Sequence, residues 1–138
     1  MNSTPGKRIM VDMSATLIHH GHIRIIKSAA AYGEVIIGLT SDEGILAAKH
    51  YLPELDFQAR AEILMAIQYV KDVVETPWHI TEQLLDEHHI DLLVHGDDNQ
   101  NQIAAHRLII LPRTQGISSS VLREKAAGIF TAKALVRP

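Results

Sequence analysis

Residues 8–40, RIMVDMSATLIHHGHIRIIKSAAAYGEVIIGLT, decide the fold of this chain. Arg8–Asp12 is rich in apolar side chains and predicts a short buried strand. After a loop of small residues, apolar side chains recur at helical spacing over Gly21–Tyr32 and predict a helix. Glu34–Thr40 is a nearly continuous apolar run, which is typical of a strand buried on both faces of a sheet. A strand, a helix and a strand in this order predict two parallel strands joined by a crossover helix.

The rest of the chain repeats this alternation. A serine followed by two acids at residues 41–43 indicates the start of a second helix. The further predicted helices are Phe57–Ile67, Thr81–His88 and Ser118–Ala127, and the further strands are Asp72–Glu75, Asp91–His95 and Arg107–Leu111. We therefore predict an α/β protein, a Rossmann-like three-layer sandwich with a five-stranded parallel sheet. One domain covers residues 1–130, and a loosely held tail covers residues 131–138.

Charge and composition exclude several classes of protein. The formal net charge of −3 argues against a nucleic-acid binder, because affinity for a phosphate backbone needs an excess of Lys and Arg. No apolar run approaches the roughly 20 residues that span a bilayer, so we expect no membrane partner. The chain has no cysteine, which excludes disulfides and thiolate metal sites. We expect a cytoplasmic protein.

Three histidines fall within four positions at the start of the first predicted helix: His19, His20 and His22. Residues three apart on a helix share a face, so His19 and His22 can project toward one ligand. Gly21 lets the backbone pass close to a phosphate, and free N–H groups at a helix start favour anions. Nucleotidyl transfer needs cationic donors where charge develops on the phosphates, and two imidazoles beside a helix start meet that need.

Two other interpretations of these histidines stay open. Histidines near a helix start also serve as solvated or capping groups. Two histidines on one helical face can also bind Zn²⁺. Their spacing suggests no third ligand, although Asp97 or His95 would be able to supply one in space.

A second segment, RTQGISSS, follows the last predicted strand at residues 113–120. Arg113 offers a fixed fork of donors that suits phosphate oxygens, and Gly116 permits a tight backbone approach. The serines present hydroxyls and N–H groups at the start of the last helix, which is a second anion-binding end. An ordinary turn followed by a serine cap explains the segment equally well when it is taken alone.

Together the two segments resemble the nucleotidyltransferase superfamily with the HxGH signature, and most closely its glycerol-3-phosphate cytidylyltransferase-like branch. The matching text is LIHHGHIRIIKSAA, LTSDE, QARAEIL, YVKDVVE, HGDD and LPRTQGISSSVLRE, between about Lys7 and Phe130. The pair of signatures is a strong signal, whereas either one alone is weak. The segments VDM and LIHHGH are more similar to nucleotidyltransferase domains associated with phosphonate pathways than to the glycerol-3-phosphate branch.

The resemblance implies a role for each matching residue. His19, His22, Lys49 and Arg113 are the implied catalytic residues, and Lys49 and Arg60 the implied substrate-binding residues. The implied nucleotide-binding residues are Ser14, Ala15, His19, Gly21, His22, Gly96, Asp97, Arg113, Thr114, Gly116, Ile117, Ser118 and Ser119. No protein ligand to a metal is implied.

The chain also departs from the family pattern. The family usually has GTFD before its LxHxGH motif, whereas residues 13–16 read MSAT, so a glycine and an acid are missing. The acid would stand at Thr16, where it would orient a histidine or a metal-bound phosphate. The glycerol-phosphate enzymes also carry lysines where this chain has Tyr51 and residues near Thr81. These differences argue against glycerol 3-phosphate as the acceptor.

The resemblance implies an enzyme that moves CMP from CTP to a small phosphorylated or phosphonylated alcohol or acid and releases pyrophosphate. It also implies Mg²⁺ bound with the triphosphate and a homodimer. Nothing in the residues themselves selects the base, so adenylyl transfer from ATP is an alternative. The missing acid at Thr16 motivates a hypothesis of another class, a nucleotide-binding module without catalysis that serves as a regulatory or assembly subunit.

Overall fold

The structure, a computed structural model, describes residues 6–136. The strands are β1 (Arg8–Met13), β2 (Glu34–Thr40), β3 (Val70–Thr76), β4 (Leu92–Gly96) and β5 (Leu108–Leu111). The α-helices are α1 (His20–Ala29), α2 (Asp42–Lys49), α3 (Phe57–Met65), α4 (Glu82–Glu87) and α5 (Ser119–Val136), and a 3-10 helix spans Ala105–Arg107. The predicted order of strands and helices is confirmed.

The sheet has five parallel strands in the order β3-β2-β1-β4-β5. The chain builds outward from β1 through β2 to β3, and then returns to the other side of β1 to lay down β4 and β5. The strand order therefore reverses between β1 and β4. In open α/β sheets, ligands bind beyond the carboxyl ends of the strands at such a reversal.

Alternate residues of the strands face two separate cores, one on each side of the sheet. Ile9 and Val11 of β1 pack in a cluster with Ile26 of α1 and Leu64 of α3. Met10, between them, packs on the opposite face in a cluster with residues that include Leu85 of α4. Six consecutive residues of β2 are buried, which confirms a strand covered on both faces. The fold is α/β with helices flanking a parallel sheet.

The helix boundaries follow local capping. The Oγ of Ser41 accepts the N–H of Gly44 at 3.0 Å and begins α2, as the sequence indicates. The last helix differs from the prediction, because α5 continues to Val136 instead of ending at Ala127. Residues 131–136, assigned above to a tail, are therefore helical, and residues 137–138 lie outside the described part of the chain. Within residues 6–136, no helix combines the length and the apolar character needed to cross a bilayer.

Candidate active site

The HxGH histidines form the cap of α1. His19 is the N-cap residue, with extended backbone angles, and its Nδ1 accepts the N–H of Gly21 at 3.1 Å. The Nδ1 of His22 accepts the N–H of His19, also at 3.1 Å. The two rings lie with their centroids 4.0 Å apart. The capping role that the sequence left open for these histidines is therefore present.

The cap fixes the tautomer of both rings. A nitrogen that accepts a backbone N–H carries no proton, so a neutral imidazole in this arrangement carries its proton on Nε2. Burial, and then the charge of His19, lower the pKa of His22 to about 4. Burial, and then the charge of His20, lower the pKa of His19 as well. At neutral pH the pair therefore offers two neutral Nε2–H donors, and the expectation of cationic imidazoles is wrong for the unliganded protein.

The loop between β1 and α1 is held in an uncommon conformation. Ala15 has φ +45°, in the left-handed region that residues with a side chain rarely adopt, and it is 1% exposed. Beside it, Nη1 of Arg60 donates to the carbonyl of Ser14 at 2.7 Å and to that of Thr40 at 2.9 Å. Another nitrogen of Arg60, Nη2, pairs with Asp42 at 2.6 Å. This arginine ties the loop to the end of β2 and the start of α2.

The structure corrects the substrate-binding role implied for Arg60. Its side chain is 0% exposed, and its guanidinium donors are directed to backbone carbonyls and to Asp42. Four of its five N–H donors are engaged in this way, and a side chain with no exposed surface is closed to a substrate phosphate. Arg60 therefore stabilises the loop that borders the cavity.

The RTQGISSS segment lies directly against the HxGH helix. The Cγ2 of Ile117 lies 3.4 Å from the position that a Cβ on Gly21 would take. Ser119 donates from Oγ to the carbonyl of Leu17 at 3.0 Å and accepts the N–H of the same residue at 3.1 Å. Ser118 Oγ accepts the N–H of Val121 at 3.1 Å and so caps the first turn of α5. Two segments about 100 residues apart in sequence therefore form one wall.

Arg113 lies two residues after the end of β5, and its side chain is 59% exposed. It pairs with Asp97 at 3.0 Å and with Asp98 at 3.4 Å, both in the turn after β4. A Cβ at Gly96 would lie 2.8 Å from the Cγ of Arg113, so the glycine makes room for this side chain. Exposed ion pairs of this kind contribute little to stability. The guanidinium can therefore exchange its carboxylate partners for phosphate oxygens at small cost.

These segments surround one open cavity of about 630 Å³ at the carboxyl ends of β1 and β4. This volume is within the usual range for small-molecule and cofactor sites. The predicted site residues that line it are Ser14, Ala15, His19, Gly21, His22, Lys49, Gly96, Arg113, Thr114, Ile117, Ser118 and Ser119. Asp97, Gly116 and Arg60 do not line it. Asp97 is turned to Arg113, while Gly116 has φ +78° and shapes the turn before α5.

Lys49 also lines the cavity. It is the last residue of α2, and its Nζ lies 5.6 Å from the centre of the Trp78 ring. At that distance a cation is attracted to the negative face of the indole. Tyr51 and His79 line the cavity next to these two residues. The lysine therefore lines the same cavity as the histidine pair, held by a contact that leaves its N–H donors available.

Comparison with known proteins agrees with this geometry. A family model described as Cytidylyltransferase-like matches residues 14–125. The chain belongs to the cytidylyltransferase-like family. It is 29% identical over 128 residues to the glycerol-3-phosphate cytidylyltransferase of Bacillus subtilis (strain 168), an alignment that covers 89% of this chain and 99% of that enzyme. Relatives of this kind support assignment as a nucleotidyltransferase.

Two further relatives are longer proteins. The chain is 32% identical over 129 residues to the ethanolamine-phosphate cytidylyltransferase of Arabidopsis thaliana, with 82% of this chain and 30% of that protein covered. It is also 32% identical over 129 residues to a probable choline-phosphate cytidylyltransferase of Schizosaccharomyces pombe, with 83% and 35% covered. The chain thus spans about a third of their length. Among solved structures, it is similar to the lipopolysaccharide core biosynthesis protein of Thermoplasma volcanium GSS1 at TM-score 0.68, 16% identity and coverage of 79% and 98%, which shows a shared fold.

The cavity also contains a polar network that the sequence did not predict. Asp12 at the end of β1 contacts Nδ1 of His95 at the end of β4 at 2.5 Å. Asn101 donates to the other oxygen of Asp12 at 3.1 Å. Burial acts to lower the pKa of His95, but the hydrogen bond and charge of Asp12, together with the charge of Asp98, outweigh it and raise the pKa.

The signal for this network was present in the sequence. Asp12 and His95 each stand at the end of a predicted strand, and parallel strands end at the same edge of a sheet. The register places Val11 beside Val94, so the next residue of each strand is also adjacent. Without knowing that β1 and β4 are neighbours, the spacing of 83 residues gives no reason to pair them.

The zinc hypothesis finds no support in the described residues. Within residues 6–136, no group of three or more His, Cys, Asp or Glu side chains is arranged to hold a metal ion. The Nδ1 atoms of His19 and His22 are both committed to backbone N–H groups.

Proposed function

We propose that this chain transfers CMP from CTP to a small phosphate- or phosphonate-bearing alcohol or acid and releases pyrophosphate. The observation that carries the proposal is the convergence of two donors of fixed tautomer, the His19 and His22 Nε2–H groups, with Arg113 and the start of α5 on one cavity. Membership of the cytidylyltransferase-like family supports CTP as the donor. The acceptors named in the relatives, glycerol 3-phosphate, ethanolamine phosphate and choline phosphate, support a small phosphomonoester or its phosphonate equivalent.

The reaction needs positioning and charge stabilisation more than covalent help from the protein. An oxygen of the acceptor's phosphate or phosphonate attacks the α-phosphorus of CTP in line with the bond to the β-phosphate. That bond breaks, and pyrophosphate leaves with the electron pair. The products are a CDP-linked ester, or its phosphonate analogue, and pyrophosphate.

The proposed roles follow from which donors line the cavity. His19 and His22 donate from Nε2 to oxygens of the α-phosphate and of the departing pyrophosphate, where negative charge grows. Lys49, which lines the same cavity beside Trp78, neutralises the incoming acceptor anion. Arg113 moves from Asp97 and Asp98 to the triphosphate and binds its oxygens as a fork. The backbone at Ser14 and Ala15, together with Thr114, Ile117 and Ser118, forms the surface for the nucleotide.

Mg²⁺ enters this proposal with the nucleotide. Mg²⁺ bound with a nucleotide is usually held by one or two carboxylates together with the substrate phosphates. Asp98, whose side chain is 52% exposed on the cavity wall, is the carboxylate we expect beside it. When bound, the ion neutralises charge on the triphosphate. Removal of divalent ions with EDTA should abolish pyrophosphate release, and added MgCl₂ should restore it.

We also propose that the chain forms a homodimer. After Arg123 the described side chains of α5 are exposed, including Ile129 at 61% and Phe130 at 70%. Neighbouring apolar side chains with this exposure favour burial against a second copy. Light scattering should give the mass of a dimer, and a double substitution of these two residues by serine should give a monomer. The cytoplasmic location stays a prediction.

The direct test is a panel of substrates. The protein is incubated with CTP or ATP, Mg²⁺ and one acceptor at a time, namely glycerol 3-phosphate, ethanolamine phosphate, choline phosphate and the phosphonate analogue of each. Pyrophosphate is measured, and the nucleotide product is identified by mass spectrometry. We expect a CDP-linked product from at least one acceptor. Pyrophosphate release with ATP and an acceptor, but not with CTP, would favour the adenylyl alternative. Tight CTP binding by calorimetry, with no pyrophosphate released for any acceptor, would favour the non-catalytic module.

A further inference from the structure

Thr16 occupies the position where the family pattern has an acid, and a carboxylate from elsewhere in the chain lies near it. Thr16 is 3% exposed, and its Oγ1 accepts a hydrogen bond from Nη2 of Arg123 on α5 at 3.1 Å. The same guanidinium makes a two-point contact with Glu54, at 2.5 Å from Nε to Oε2 and 2.7 Å from Nη2 to Oε1. The face of the Tyr51 ring covers it, with the guanidinium carbon 4.8 Å from the ring centre. An arginine with these partners has a defined orientation.

We propose that Glu54 replaces, in space, the carboxylate that is missing at position 16. The group formed by Glu54, Arg123 and Thr16, named here the latch, positions the loop of residues 14–18 for nucleotidyl transfer. Glu54 and Arg123 do not line the cavity, so they act through the loop and are positioning residues. This inference rests on the proposed function.

The loop needs such support because it carries a costly backbone conformation. Ala15 has φ +45°, a conformation that persists only where the surroundings hold it in place. Arg60 holds the carbonyl on one side of it, at Ser14. On the other side, Arg123 holds the side chain of Thr16, and Ser119 holds both backbone groups of Leu17. Because His19 follows two residues later and caps α1, a shift of the loop moves the histidine donors.

A threonine hydroxyl alone is a poor anchor for an arginine, since it supplies a partial charge where an acid would supply a full one. Glu54 supplies the full charge, and its own pKa is lowered chiefly by the hydrogen bond from Arg123. Its side chain is 46% exposed, and that of Arg123 is 30% exposed. An ion pair with this exposure contributes little to global stability, so its loss should leave the fold intact.

The test removes the charge and then restores it at the family position. Glu54→Gln keeps the size of the side chain and removes its charge. Thr16→Asp, added to Glu54→Gln, places a carboxylate next to Nη2 of Arg123. The matched control is Glu34→Gln, which breaks a similarly exposed pair with Arg8 at the other end of the sheet. The kcat, the KM for CTP, the melting temperature and amide hydrogen exchange over residues 13–19 are measured for each protein.

We expect Glu54→Gln to lower kcat about tenfold, in keeping with the sensitivity of such reactions to small displacements, with little change in melting temperature. Amides of the loop should exchange faster in this variant without nucleotide. The double variant should recover kcat to within about threefold of the native protein and slow the exchange again, and Glu34→Gln should behave like the native protein in every assay.

Equal kcat for Glu54→Gln and Glu34→Gln would overturn the latch, and so would a double variant no better than Glu54→Gln. A native protein that transfers no nucleotidyl group would refute the proposed function instead. In that case loop exchange still decides the latch, because it is measured on the protein alone: no difference between Glu54→Gln and Glu34→Gln would refute it.

Discussion

The two ring nitrogens of His22 have separate roles, and a substitution can remove one role while keeping the other. Nδ1 accepts the N–H of His19 at 3.1 Å, and Nε2–H is left to donate to a ligand. Asparagine places an oxygen near the position of Nδ1, whereas glutamine places an amide nitrogen near that of Nε2. His22→Asn should therefore keep the cap and lose the donor, and His22→Gln should do the reverse. His22→Ala loses both.

The contact that each variant of His22 loses determines how far kcat and the melting temperature should fall. Loss of one preorganised donor to the reacting phosphates costs about 100- to 1000-fold in kcat, or roughly 2.7–4 kcal/mol. We expect that loss in His22→Asn and His22→Ala, and less than about tenfold in His22→Gln. Loss of a cap costs about 1 kcal/mol of unfolding free energy, and in a domain of this size about 4 °C in melting temperature. We expect that loss in His22→Gln and His22→Ala, while His22→Asn melts close to the native protein.

The assay is pyrophosphate release at saturating CTP and acceptor, run beside thermal unfolding of the same protein samples. His20→Ala is the matched control, because His20 belongs to the same cluster but is exposed and does not line the cavity. Near-normal turnover by His22→Asn or His22→Ala would remove His22 from the chemistry. If turnover in the three variants instead followed their melting temperatures, His22 would have only a structural role.

Three further predictions concern stability and geometry. Arg60→Met should lower the free energy of unfolding by about 3–5 kcal/mol in urea denaturation, because it leaves Asp42 and three backbone carbonyls without their partner; an unchanged midpoint with a raised KM would restore a substrate role for Arg60. The pKa of His22 is about 4 in the folded protein and about 6.5 when unfolded, so the unfolded chain binds more protons between these values, and stability present above pH 6.5 should fall by about 3 kcal/mol as pH drops to 4. The difference between native protein and His22→Asn across that range isolates this contribution, and parallel curves would refute it. Gly21→Ala should reduce kcat at least tenfold with a near-native melting temperature, because its Cβ would lie 2.8 Å from Cε1 of His19 while alanine favours the helix by about 1 kcal/mol; unchanged kcat would show that the ring can move without consequence.

The alternation of strands and helices could be predicted because local signals and burial agree. Glu34–Thr40 has the bounds that its apolar run predicts, and Ser41 caps α2 as its position indicates. The end of α5 could not be placed from the same signals. Gly128 lowers helix propensity by only about 1 kcal/mol relative to alanine, and the alanines on both sides of it favour continuation to Val136.

The sequence predicted the two walls of the cavity more reliably than the partners of its polar side chains. HxGH and RTxGIS are local motifs, so their residues could be assigned before any fold was known. Asp97 was assigned to the ligand, but it is turned to Arg113. Whether a polar side chain faces a ligand or another residue depends on contacts between distant segments, and spacing along the chain does not record them.

Contacts between distant segments also give the loop before HxGH a defined shape, although its sequence departs from the family pattern. Ala15 stores about 1–3 kcal/mol in its left-handed backbone, which would favour relaxation of the loop if nothing opposed it. Opposition comes from Arg60 on α3 and from Ser119 and Arg123 on α5, through hydrogen bonds at Ser14, Leu17 and Thr16 respectively. Each such bond contributes about 1 kcal/mol, so together they match the cost of the strain. The position of the histidine donors is therefore set jointly by α3 and α5, and residues outside the motif can compensate for a missing motif acid.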